Sequence, residues 1–137
     1  MRNWLALRRD ERGAAAIELA IAVPVLALFL WGIFQVGVAF QANAGMQHAL
    51  GEGARLATLC YDPDPDTGCA HPTNQAIKDR IKDKVFGTGV GVFADPTVTD
   101  GADYKDLSVS YSMDTNFLLF DGPTINLTRT KRVYIAS

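Results

Sequence analysis

Histidine, cysteine and tryptophan are scarce, with two of each in 137 residues. That leaves little from which to build a catalytic or metal centre. His48 falls in a helical stretch and His71 in a proline-rich loop, and neither has a readable nucleophile or ligand set. Cys60, Cys69 and His71 lack a zinc spacing and an evident fourth ligand. Asp62, Asp64 and Asp66 alternate as at the start of a calcium loop. However, Thr67 stands where that loop needs glycine, and Thr73 where it needs the closing glutamate. The Gly87, Gly89, Gly91 spacing has no helix after it and no Lys-Ser/Thr to close a phosphate loop. Excess positive charge is missing too. The net charge is −2, which makes nucleic acid a poor partner. These absences argue against an enzyme, a bound metal and a cofactor.

What the sequence does have is one long apolar run, residues 14–40, which begins straight after Gly13. At roughly 1.5 Å per residue it makes a helix about 40 Å long, enough for a hydrocarbon core of about 30 Å. Only Glu18 and Gln35 are strongly polar within it, and Pro24 removes one backbone donor. A carboxylate at membrane depth costs at least about 2.5 kcal/mol, so Glu18 needs a reason to be there. Residues 1–13 carry Arg2, Arg8, Arg9 and Arg12 against Asp10 and Glu11, and the rest of the chain is net acidic. Positive flanks stay in the cytoplasm, which predicts a single-pass membrane protein with its N-terminus inside and its C-terminal domain outside. The apolar run is too long for an ordinary secretory h-region, although Ala42-Asn43-Ala44 keeps signal cleavage open as an alternative.

Helical character continues to Leu59. Gly37, Gln41, Gly45, Ala49, Gly53 and Ala57 recur at i, i+4 and form one ridge, almost all of small residues. Small ridges admit a second helix at close range, so Gly45, Ala49 and Gly53 are read as a helix-packing and assembly surface. Met46, Leu50, Leu56 and Leu59 lie off the ridge and are expected against the outer domain. Residues 60–73 read as an acidic loop. With both cysteines on the oxidising side, Cys60 and Cys69 are expected to close it as a disulfide.

The remainder predicts a small α+β domain. Residues 74–86 form an amphipathic helix capped by Thr73 or Asn74, with Ile77, Ile81 and Val85 on one face. A short strand is expected near 90–93. Residues 104–113 alternate as a half-buried strand, with Leu107, Val109, Tyr111 and Met113 inward. Phe117 to Phe120 extend the sheet, and Asp121-Gly122-Pro123 is read as the turn before a last strand. That strand's inner face holds Ile125, Leu127, Val133 and Ile135 but also Arg129 and Lys131, which predicts a bulge or an exposed middle. The domain division is thus 1–13, a leader; 14–59, a transmembrane and extended helix; and 60–137, a periplasmic or extracellular α+β domain with an antiparallel sheet.

Arg12-Gly13 followed by Ala14-Ala15-Ala16-Ile17-Glu18 resembles the class III signal of type IV pilins. The wider set, with Pro24 and the EGAR segment Glu52 to Arg55, resembles the TadE-like pseudopilins of tight-adherence (Flp) pilus systems. The resemblance covers about residues 8–59. It implies cleavage between Gly13 and Ala14 by a separate prepilin peptidase, with Glu18 fifth after the cut. It also implies a minor pilin or pseudopilin acting in pilus assembly for adhesion. The implied partners are the peptidase, other pilins and pseudopilins, the Tad inner-membrane assembly platform and the lipid bilayer. Incorporation into an extracellular pilus stays open, as does the alternative of a permanent single-span anchor carrying an external ligand-binding domain.

Overall fold

The computed structural model describes residues 11–60, 63–64, 68–117 and 120–135; side chains are described from Gly13 onward, except those of the short strands within 61–69. One helix, α1 (Glu11–Ala57), runs unbroken through Gly13 and Pro24. It is followed by a two-residue ladder of β1 (Pro63–Asp64) with β2 (Gly68–Cys69), then by α2 (Asn74–Lys84). The sheet strands are β3 (Val92–Phe93), β4 (Thr97–Asp100), β5 (Tyr104–Phe117) and β6 (Phe120–Tyr134). The architecture is the α+β fold expected: a long N-terminal helix, one short helix and an antiparallel sheet.

Strand β5 organises the sheet. It pairs with β6 along nearly its whole length on one edge, and on the other edge with β4 and β3 placed end to end. Every second residue from Lys105 to Thr115 is buried, which is the alternation that the sequence predicts. The inward face meets two helices. Val38, Ala42, Met46, Ala49, Leu50, Ala54 and Ala57 of α1, with Ile77 and Ile81 of α2, close over Leu107, Val109, Tyr111 and Met113. Met46, Ile77, Ile81, Leu107 and Met113 are fully buried, each contributing about 1.5–3 kcal/mol of transfer free energy.

Helix α2 starts where a hydroxyl can cap it. Thr73 is extended (φ −65°, ψ 152°), and its side chain accepts from the Ala76 N–H at 3.2 Å. The helix ends at Lys84, two residues earlier than expected, with Val85 as its C-cap. Two stretches differ from the sequence reading. Residues 97–100, expected to be part of a glycine-rich connection, form β4. Asp121-Gly122-Pro123 is not the turn but the start of β6, because pairing already holds at Phe117 opposite Phe120. Between the pairs Asp114–Thr124 and Asn116–Asp121, Thr115 faces two residues, Gly122 and Pro123. This is a bulge, and it is where a proline lacking its N–H can enter a strand. Thr115 Oγ1 donates to the Pro123 carbonyl at 2.7 Å, and a Cβ on Gly122 would stand 2.2 Å from that hydroxyl. Arg129 and Lys131 pair in regular register and are exposed, so of the two expectations for this strand the exposed middle holds.

The glycine-rich segment is a turn. Gly89 and Gly91 take φ of +78°, which residues with a Cβ rarely adopt. Cys60 is disulfide-bonded. The other cysteine in the sequence is Cys69, whose side chain lies outside those described, as does most of the acidic segment around Asp62, Asp64 and Asp66.

Candidate membrane and assembly surface

Helix α1 has two unlike halves. From Gly13 to Phe34 its side chains face outward on all sides, with partial cover only at Ala27, Leu28 and Gly32. From Gln35 on, burial recurs at three- and four-residue steps, through Val38, Ala42, Gly45, Met46, Ala49 and Gly53. The apolar run therefore serves twice: its first part is long and apolar enough to cross a membrane, and its last turns are domain core. Gly13, Ala14 and Glu18 lie on the exposed half, and among the described residues nothing stands within 4 Å of where a Gly13 Cβ would be.

From Gly45 onward the small-residue ridge is a packing surface, covered by this chain's own α2 and the Phe86 segment that follows it, while Gly37 and Gln41 stay exposed. Gly45, Ala49, Gly53 and Ala57 are all buried. A Cβ on Gly45 would lie 1.9 Å from the Phe86 carbonyl oxygen, and one on Gly53 would lie 2.4 Å from Ile81 Cγ1. With the domain docked in this way, Gly45 and Gly53 are covered by residues of this same chain. Of the residues read as assembly positions, only Glu18 stays on an open surface.

The junction between the halves is polar. Trp31 Nε1 and Gln35 Nε2 both donate to the backbone carbonyl of Asn116, near the tip of the β5–β6 hairpin. Gln35 is 9% exposed, and its Oε1 is buried without a hydrogen-bond partner among the described residues. In the sequence Gln35 is only a polar interruption of the apolar run. The signal that points to this junction is the i, i+4 spacing of Trp31 and Gln35, which puts two donors on one face. A second tie lies two turns further on, where Arg129 Nε donates to Asn43 Oδ1 at 2.6 Å.

Glu52 and Arg55 of the EGAR segment line a groove of about 540 Å³ between the end of α1 and α2. Arg80 Nη2 donates to Glu52 Oε2 at 2.8 Å and holds that carboxyl below its ordinary range. Its lining holds Asp79, Arg80 and Asp83 as well as the apolar Leu56, Leu59 and Ala76. The Glu52 carboxylate is thus engaged in tying the two helices together. The described residues hold no cluster of three or more His, Cys, Asp or Glu placed to share a metal.

A single long apolar helix carrying a small α+β domain on its C-terminal half has the form of a single-pass, helix-anchored protein. Residues 13–55 match the family model described as TadE-like protein, so this segment is similar to TadE-like proteins. The match begins at Gly13 and ends at Arg55, so it takes in the exposed half, the ridge and the EGAR segment. No curated protein and no solved structure matches the chain.

Proposed function

We propose that this chain is a minor pseudopilin: a prepilin peptidase cuts it after Gly13, and it then joins other pilins in a Tad/Flp-type pilus machine used in adhesion. The observation that carries the reading is the helix from Gly13 to Leu26, exposed on every side, with one carboxylate five residues past the glycine. A bare apolar helix needs lipid or neighbouring helices around it, and an assembly of pilins supplies first one and then the other. The arginine-rich flank supports a cytoplasmic N-terminus, an inner-membrane span and an outer domain.

Glu18 has a role in this scheme. Cleavage creates an ammonium on Ala14, four residues before Glu18 and on the same face. An unpaired carboxylate at low dielectric is strongly disfavoured, and pairing with that ammonium offsets part of the cost. If the ammonium belongs to a neighbour, the pair also sets subunit register. The test uses two readouts in cells with and without the peptidase. Intact mass should show a chain starting at Ala14 only when the peptidase is present. Glu18→Gln should insert and be cut yet fail to co-purify with partner pilins. An uncut chain in both strains would reject processing. Normal assembly of Glu18→Gln would reject the charge pair, and failure of its cleavage would make Glu18 a peptidase-recognition residue.

A further inference from the structure

The end of the β5–β6 ladder, at the pair Phe117–Phe120, lies beside α1 at the level of Trp31–Gln35, and this pair is aromatic. Phe117 and Phe120 stack at 5.1 Å with 26° between their planes. Trp31 and Phe34 stack at 5.6 Å on the helix. The two pairs are neighbours, since Phe117 Cε1 is 3.7 Å from where a Gly32 Cβ would stand and the Asn116 carbonyl accepts from Trp31. Phe120 is 61% exposed, so the domain leaves the ring uncovered.

The depth of this point follows from helix length. About 20 residues cross a hydrocarbon core. Counted from Ala14 at the inner boundary, that brings the outer boundary to about residue 33, the level of the hairpin tip. Burial of α1 by its own domain starts two residues later, at Gln35. The side chains just above the tip are polar and exposed: Asp114, Asn116 and Asp121. An aromatic end beneath a polar collar matches the boundary between acyl chains and headgroups, where a ring with one polar edge such as Trp31 is favoured. Asp121, next to Phe120, limits how deep the tip can go.

We propose that the hairpin tip, Phe117 and Phe120 with Trp31 and Phe34, is a second membrane contact that seats the outer domain on the outer face of the bilayer and fixes the depth of the span. This rests on α1 being the membrane span. The occupant is lipid, because the surface is continuous with the bare apolar helix and carries no charge of its own.

The full chain is placed at high dilution in phosphatidylcholine–phosphatidylglycerol vesicles containing a phosphatidylcholine with a diazirine near the acyl carbonyl. After irradiation, lipid adducts are mapped by peptide mass spectrometry. Adducts are expected on Phe117 or Phe120 and on α1 before Gln35, with none on Tyr104 or Tyr134 at the far end of the hairpin, about 45 Å away at 3.4 Å per residue. Phe120→Asp should cut the tip yield several-fold while the helix yield and the melting temperature stay unchanged. Labelled helix with an unlabelled tip would overturn the proposal and leave the span intact. An unlabelled helix would overturn the span reading and this inference with it. Tip adducts undiminished in Phe120→Asp, or tip cross-links to a second chain in place of lipid, would also overturn it.

Discussion

Gly45 and Gly51 sit less than two turns apart on α1 and should respond oppositely to the same substitution. A Cβ at Gly45 runs into the Phe86 backbone, which cannot rotate away, whereas Gly51 has nothing within 4 Å. Gly45→Ala is expected to lower stability by about 1–3 kcal/mol as the Phe86 backbone just past α2 is pushed off. Gly51→Ala should raise it by up to about 1 kcal/mol through helix propensity. Urea unfolding of the detergent-solubilised chain, followed by circular dichroism, checks both; a stable Gly45→Ala would mean that the Phe86 segment does not dock as described. The ridge itself was legible in the sequence, because spacing and residue size are local facts. Its occupant was not, since nothing in a row of glycines says whether the partner helix belongs to the same chain.

The elements around β5 show a similar division. Its alternation from Leu107 to Met113 is a period-2 pattern that one face of core demands, and the strand follows it. Gly122-Pro123 misled because the same dipeptide marks turns and bulges, and only the cross-strand register separates them. The four-residue β4 has no such pattern, since only Val98 is partly covered, but it is held by charge. The Lys105 ammonium, largely buried, donates to Asp100 Oδ1 and to Asn74 Oδ1, tying β4, β5 and the start of α2 together. The hydrogen bond from Lys105, then that from Asn74, keeps the Asp100 carboxyl below its ordinary value. A lowered carboxyl contributes stability that is fully present above the unfolded value, about pH 3.9, and is lost as pH falls through the folded one. Asp100→Asn should therefore be less stable than the parent at neutral pH, and the gap should narrow below about pH 4. Thermal melts across pH 2.5–7 measure this, and a constant gap would show that the ion pair does not contribute.

For the molecule as a whole, the family match and the fold divide the chain differently. The match stops at Arg55, while the core of the outer domain uses α1 from Val38 to Ala57. The outer domain thus has no complete core without the matched helix. The border expected at residue 60 separates a leader-and-helix from a domain in composition only; in packing, the domain begins at Gln35. Just past α1 comes the bonded Cys60. A Cys60–Cys69 link would close a short loop and stabilise the domain by about 3 kcal/mol on a loop-entropy estimate. Non-reducing peptide mapping should find the two cysteines in one linked pair, and recovery of Cys69 as a free thiol would reject it. The unbroken helix also has a mechanical consequence. Because the domain grips α1 from Gln35 onward, a pull on the domain becomes a pull along one rod, with no loop to absorb it. Pro24 cannot donate to the Ala20 carbonyl, so the rod is weakest in bending there, inside the bare half. A sideways load on the outer domain would flex the chain within the membrane and leave the domain's own packing undisturbed.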